Sequence, residues 1–274
     1  TSGTQSYSGA VTVSAVSTLS TTNSDVTLGS SLTLADNLTI TTGAGAGDIA
    51  VTGTIDGAKA LSLSAGTGAI TLSGAVGQTT RLGALTLNSS GTTTLAQSVK
   101  AASVTSNADG TLRINGGSVD TTGAQTYGDA ITLGANTTLT GTTVNTQSTL
   151  AGGNNALTIT GAADVDGAFT GLTSLSVSGT SNIGANVTTT GTQTYTGAVT
   201  LSGGDRTLTG TSINTQSALA GGGNALTITG AAYIDGAISG ITNLSVSGTS
   251  NIGANITTSG TQTYAGAVTL SGGD

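Results

Sequence analysis

A Gln-x-Tyr pair occurs four times in this chain, as Gln5/Tyr7, Gln125/Tyr127, Gln193/Tyr195 and Gln262/Tyr264. Residues two apart in an extended strand share a face, so each pair sets an amide beside a phenol. If exposed, such pairs could stack on sugar rings and form a weak surface ladder that gains avidity by repetition. If buried, each ring would cover one end of an aliphatic core at a corner. The surface reading selects Gln125, Tyr127, Gln193, Tyr195, Gln262 and Tyr264 as a possible binding row.

The acidic residues are twelve Asp and no Glu, several of them beside Gly: Asp56-Gly57, Asp109-Gly110, Asp166-Gly167 and Asp235-Gly236. Asp-Gly is turn chemistry first. Asp164-Val165-Asp166-Gly167 carries a fragment of a calcium-loop pattern without the remaining ligands or the closing Glu. Its counterpart, Ala232-Tyr233-Ile234-Asp235, has lost the first Asp. Gly43-Ala44-Gly45-Ala46-Gly47-Asp48 has the Gly/Asp character of calcium-binding nonapeptides, but it occurs once. No metal ligands and no cofactor are therefore expected.

Polysaccharide cleavage would need clustered carboxylates with a cation to tune or orient them. The cations Lys59, Arg81, Lys100, Arg113 and Arg206 are scattered, and His and Cys are absent. No catalytic residue is selected, and the chain is expected not to be an enzyme. A net charge of −7 argues against nucleic acid, whose phosphates need a basic face. No apolar run approaches the roughly 18–20 residues of a membrane span, so no membrane insertion is expected.

The elements that carry these residues follow from a 69-residue repeat. GTQTYTGAVTLSGGD at Gly191–Asp205 returns with one change at Gly260–Asp274, and LSVSGTSNIGAN at Leu175–Asn186 returns unchanged at Leu244–Asn255. A more divergent copy starts at Gly123. The spacing divides the chain into divergent coils over 1–122, repeat copies over 123–190 and 191–259, and the start of a further copy over 260–274. Within each copy the apolar residues alternate in short bursts, such as Ala198-Val199-Thr200-Leu201, separated by Gly, Asn and Asp. That pattern predicts strands with an aliphatic inner face and a Thr/Ser outer face, joined by turns. With 45 Gly, no Pro or Trp and one Phe, only a thin core of small aliphatics can be built.

One anchor per burst, from Val11 to Val268, gives a mean interval of about 23 residues, the size of one turn of a parallel β-helix. The reading is an all-β solenoid over 1–274, with 11–12 coils and three coils per 69-residue repeat. Three coils would place Tyr127, Tyr195 and Tyr264 in one row about 14 Å apart. The anchor intervals are uneven, which would throw any outward Thr array, of the kind that binds ice, out of line. The competing architecture is a string of sandwich domains, which usually need a large buried aromatic.

Gly47–Gly77, GDIAVTGTIDGAKALSLSAGTGAITLSGAVG, and the TTG-x-QTY…A-V/I-T-L segments resemble filamentous-haemagglutinin-like bacterial exoproteins. The resemblance implies a right-handed parallel β-helix and secretion to the cell surface by the two-partner route. An outer-membrane transporter would be the partner during export. It implies no catalytic residues, and the family's Asn-Pro secretion motifs cannot occur in a chain without Pro. The expected role is a stiff, non-catalytic stalk or passenger section of an adhesin, with glycans or proteins of host or neighbouring cells as partners. The alternatives are a subunit of an extracellular filament self-associated end to end, and a carbohydrate-binding or carbohydrate-cleaving β-helix. Asn-x-Thr sequons such as those at Asn136, Asn186 and Asn255 add little in so Thr-rich a chain.

Overall fold

A computed structural model describes residues 1–272. Gly273 and Asp274, which close the final repeat copy, lie outside the described residues. The described residues form 33 β-strands and no helix, and the strands stack in parallel. Alternation sets the local structure: in Leu32–Leu34 both Leu side chains are buried and the Thr between them is exposed, as in Val199–Leu201. The chain packs as two units, Thr1–Thr142 and Thr143–Asp274.

In the first unit each turn contributes strands to three faces. The first face stacks Gln5–Tyr7, Val26–Leu28, Ile49–Val51, Ile70–Leu72, Thr92–Leu95, Thr111–Ile114 and Ala130–Leu133, giving seven turns. The third runs Ser17, Leu38, Leu61, Leu85, Val104, Gln125 in register. Its inner positions make an aliphatic ladder, with Leu38, Leu61, Leu85 and Val104 at most 2% exposed. Each such side chain contributes about 1.5–3 kcal/mol by leaving water, and it does so only against the turns above and below.

The second unit repeats the plan with shorter turns. Leu150, Phe169, Val187, Leu208, Ile228, Val246 and Tyr264 follow one another in register, again seven turns. Partners along a row, such as Leu61 and Leu85 in the first unit or Leu157 and Leu175 in the second, mark the length of each turn. The expected coil of about 23 residues is thus corrected to about 19–21, and the 11–12 expected coils to fourteen turns. The anchors misjudged it because several of them sit on neighbouring faces. Val11 pairs with Leu32, whereas Leu38 pairs with Ser17.

The same register corrects three coils per repeat. Gln193 pairs with Ile213, and that row continues through Ala232 and Ser250 to Val268. Gln262 belongs to another row, with Leu244 and Leu226. The repeat from Gly191 to Gly260 therefore covers three turns and two further faces, and the later copy begins one face away from the earlier one.

Variable turn length does not break the rows. Thr18, Thr39, Ser62, Thr86, Thr105 and Thr126 form an unbroken outward column on the third face, although the turns between them differ in length. Corners absorb the extra residues, so the expectation that uneven intervals misalign outward hydroxyls does not hold. Side-chain carboxylates and amides hold these corners. Asp25 Oδ1 accepts from the Asp48 N–H one turn on at 2.9 Å, and Asp48 Oδ1 from Ala69 at 2.7 Å. Asn37, Asp205 and Asn243 accept in the same way from Ala60, Ala225 and Thr261. Of the Asp-Gly pairs, Asp56 caps in the same way, its Oδ1 accepting from Thr79 and Thr80 N–H at 2.8 and 3.1 Å.

Candidate functional site

The Gln-x-Tyr motif is an interior clamp. Gln125 Nε2 donates to Val119 O at 3.0 Å within its own turn and to Thr140 O at 2.8 Å in the next. Its Oε1 accepts the Tyr127 hydroxyl at 2.8 Å, and Thr121 Oγ1 closes the corner onto Gly123 O at 2.8 Å. The second unit rebuilds this arrangement. Gln193 Nε2 donates to Val187 O at 3.1 Å and Thr209 O at 2.8 Å, Tyr195 donates to Gln193 Oε1 at 2.9 Å, and Thr189 donates to Gly191 O at 2.8 Å.

Gln125, Tyr127, Gln193 and Tyr195 are 0% exposed. They do not form the expected surface row, and Tyr195 and Tyr264 lie on different faces of the second unit. Gln262/Tyr264 and Gln5/Tyr7, in terminal turns, keep the Tyr-to-Gln bond at 3.0 Å but are more exposed. The signal for this role was present in the chain. All four copies read Thr-x-Gly-x-Gln-x-Tyr, and a Gly at a fixed offset before Gln describes a corner.

Burial raises the pKa values of Tyr127 and Tyr195 well above the usual tyrosine range. Both phenols stay protonated in the folded chain at pH values where the unfolded chain ionises. Stability is therefore unaffected below the unfolded value near 10. Above it, each tyrosine costs about 1.4 kcal/mol per pH unit. Melting temperatures recorded from pH 8 to 11.5 are expected to fall steeply beyond pH 10, and a Tyr127→Phe/Tyr195→Phe double variant to fall less. Parallel curves would contradict the clamp.

The remaining sequence candidates are dispersed. Asp164 is held between two amides of neighbouring turns, Asn182 Nδ2 at 2.8 Å and Asn145 Nδ2 at 3.3 Å. Partial burial, and then the nearby Asp164 carboxylate, raise the pKa of Asp166. Among the described residues no group of three or more potential metal ligands comes together. In the Gly43–Asp48 loop the Gly45 N–H donates to Asn23 Oδ1 and Asp48 serves as a corner cap. Arg81 bridges two turns, with Nη2 at 2.7 Å from Asp120 Oδ2 and Nη1 at 2.6 Å from Asp120 O. Arg206 Nε instead closes its own loop on Ser202 O at 2.8 Å.

One carboxylate that composition did not single out is interior. Asp129 is 1% exposed, accepts from Gly110 N–H at 2.9 Å through Oδ1, and leaves Oδ2 buried without a partner. Desolvation raises its pKa. The outer surface of the second unit carries shallow hollows, among them one of about 250 Å³ lined by Tyr233, Thr249, Ser250, Asn251, Ala267 and Thr269.

These features define a parallel β-solenoid with aliphatic ladders inside, amide–phenol clamps at buried corners and a hydroxyl- and amide-rich exterior. The chain matches no family model, no curated protein and no solved structure.

Proposed function

We propose that this chain is a non-catalytic spacer or passenger section of a bacterial surface or secreted adhesin of the filamentous-haemagglutinin-like kind, exported through an outer-membrane transporter. The observation that supports this most is where the chain's specific chemistry lies. At two places the Gln-x-Tyr device is spent inside, tying its own turn to the next, while the outward column of the first unit is plain Thr and Ser. An enzyme concentrates perturbed, converging groups in one cleft. Here the repeated investment is in continuity along the stack, which suits a part that sets distance and stiffness. A chain without cysteine also suits an oxidising exterior.

The test is surface display. Antibodies against the Ser202–Asp205 loop are expected to label intact cells of the source organism, and mild external protease to remove the label. Labelling that appears only after lysis would overturn the proposal.

A further inference from the structure

The two long repeat copies differ mostly by exchanging one aliphatic or hydroxyl residue for another. At one outward position a carboxylate becomes a phenol: Asp164 in the earlier copy is Tyr233 in the later one. The neighbours are the same in both. Asn145 and Asn182 flank Asp164 on adjoining turns and donate to it. Asn214 and Asn251 flank Tyr233 in register, one turn to either side.

The exchange changes what the second pair of amides faces. Tyr233 offers no carboxylate of the kind that accepts from Asn145 and Asn182 at Asp164, so the Nδ2 groups of Asn214 and Asn251 are free to serve an outside acceptor. Oδ1 of Asn214 and Asn251 is buried without a partner, as is Oδ1 of Asn145 beside Asp164, so the amides turn the same end inward in both copies. Tyr233 is 44% exposed, the most exposed aromatic side chain among the described residues. Beside it lies the hollow of about 250 Å³, whose other walls include Thr249, Asn251 and Thr269. No Lys, Arg or Asp lines it. An open aromatic face, an amide one turn to either side of it, adjacent hydroxyls and no charge in the hollow together match a ligand with one apolar ring face and a rim of hydroxyls.

We propose that Tyr233, with Asn214, Asn251, Thr249 and Thr269, forms a binding subsite for a neutral saccharide. One pyranose ring stacks on the phenol and its hydroxyls accept from the amides. The site goes beyond the spacer role and stands whether or not the chain is exported. A single shallow subsite implies a dissociation constant in the millimolar range.

Saturation-transfer NMR on the whole chain tests this, using methyl glycosides of glucose, galactose, mannose and N-acetylglucosamine and disaccharides of the same sugars. N-acetylneuraminic acid and tetramethylammonium serve as charged probes. At least one neutral probe is expected to show transfer to the C–H groups of a single ring face. Tyr233→Ala is expected to weaken that binding at least tenfold, while Tyr233→Phe retains the stack and most of the affinity. Tyr233→Asp supplies the acceptor present in the earlier copy and should abolish binding in a folded chain, which covers the case of a poorly folded alanine variant. No transfer to any neutral probe, undiminished binding in Tyr233→Ala and Tyr233→Asp, or binding of the charged probes alone would each overturn the proposal.

Discussion

Gln193→Leu is expected to destabilise the second unit by about 3–5 kcal/mol, although leucine is close to glutamine in size and suits an aliphatic interior. The substitution takes the acceptor from the buried Tyr195 hydroxyl and a donor from both Val187 O and Thr209 O, the latter keeping only a long bond of 3.4 Å from Thr189 Oγ1. Each stranded polar group costs about 1–3 kcal/mol, and the three share one network, so the sum is less than additive. Tyr195→Phe strands only Gln193 Oε1 and should cost about 1 kcal/mol. Combined with Gln193→Leu it should cost almost nothing further, because the phenol has already lost its acceptor. Because a solenoid is stabilised interface by interface, the loss should be local. Hydrogen exchange should quicken first at the neighbouring turns, Val187–Thr189 and Arg206–Thr215. Gln262→Leu provides the control, since that glutamine is exposed and should tolerate the change within about 0.5 kcal/mol. Equal effects at Gln193 and Gln262 would contradict a buried clamp.

The all-β solenoid was legible because period-two alternation, Gly/Asn/Asp turns and the missing aromatics all point to one thin aliphatic core. Turn length was less legible, for a physical reason. Every face carries similar bursts: Val-Thr-Leu occurs at Val26–Leu28 on one face and Leu-Thr-Leu at Leu32–Leu34 on the next. Sequence intervals alone cannot distinguish one turn from one turn plus one face. Register distinguishes them, because only the structure shows that Leu38 sits over Ser17 and not over Val11.

The candidate site was half legible. Gln and Tyr do share a face and do bond to each other, as alternation allows. Which face is a tertiary matter. At Tyr233, alternation beside buried Ala232 and Ile234 sends the phenol outward. At Tyr195 it sends the phenol in, behind the half-buried Thr194. The two tyrosines have opposite surroundings because their neighbours in the chain have opposite polarity. Those neighbours point away from the repeated motif and toward the one tyrosine that lies outside it.

Glycine is the other residue whose role changes once turns are stacked. Gly230 adopts φ +133, and an ideal Cβ there would lie 1.9 Å from Gly210 O. The cause is general to this corner. Gly191, Gly210, Gly230, Gly248 and Gly266 lie on successive turns, and a Cβ on each of the last four would meet its predecessor's carbonyl at 2.6 Å or less. Parallel turns about 4.8 Å apart aim each carbonyl along the stack, and a sharp corner brings it onto the next Cα. Gly248 N–H donates to Gly230 O at 2.9 Å, so backing away from a side chain would also cost the ladder bond. Gly230→Ala is therefore expected to cost roughly 3 kcal/mol or more, combining a conformation that L-residues avoid with a clash against rigid backbone. Gly9→Ala, where a Cβ would meet nothing within 4 Å, should change stability by less than about 0.5 kcal/mol. Thermal melts of the two variants separate the readings. A glycine kept only for turn flexibility would give similar small losses at both positions, whereas close approach of stacked backbones gives a large loss at Gly230 alone.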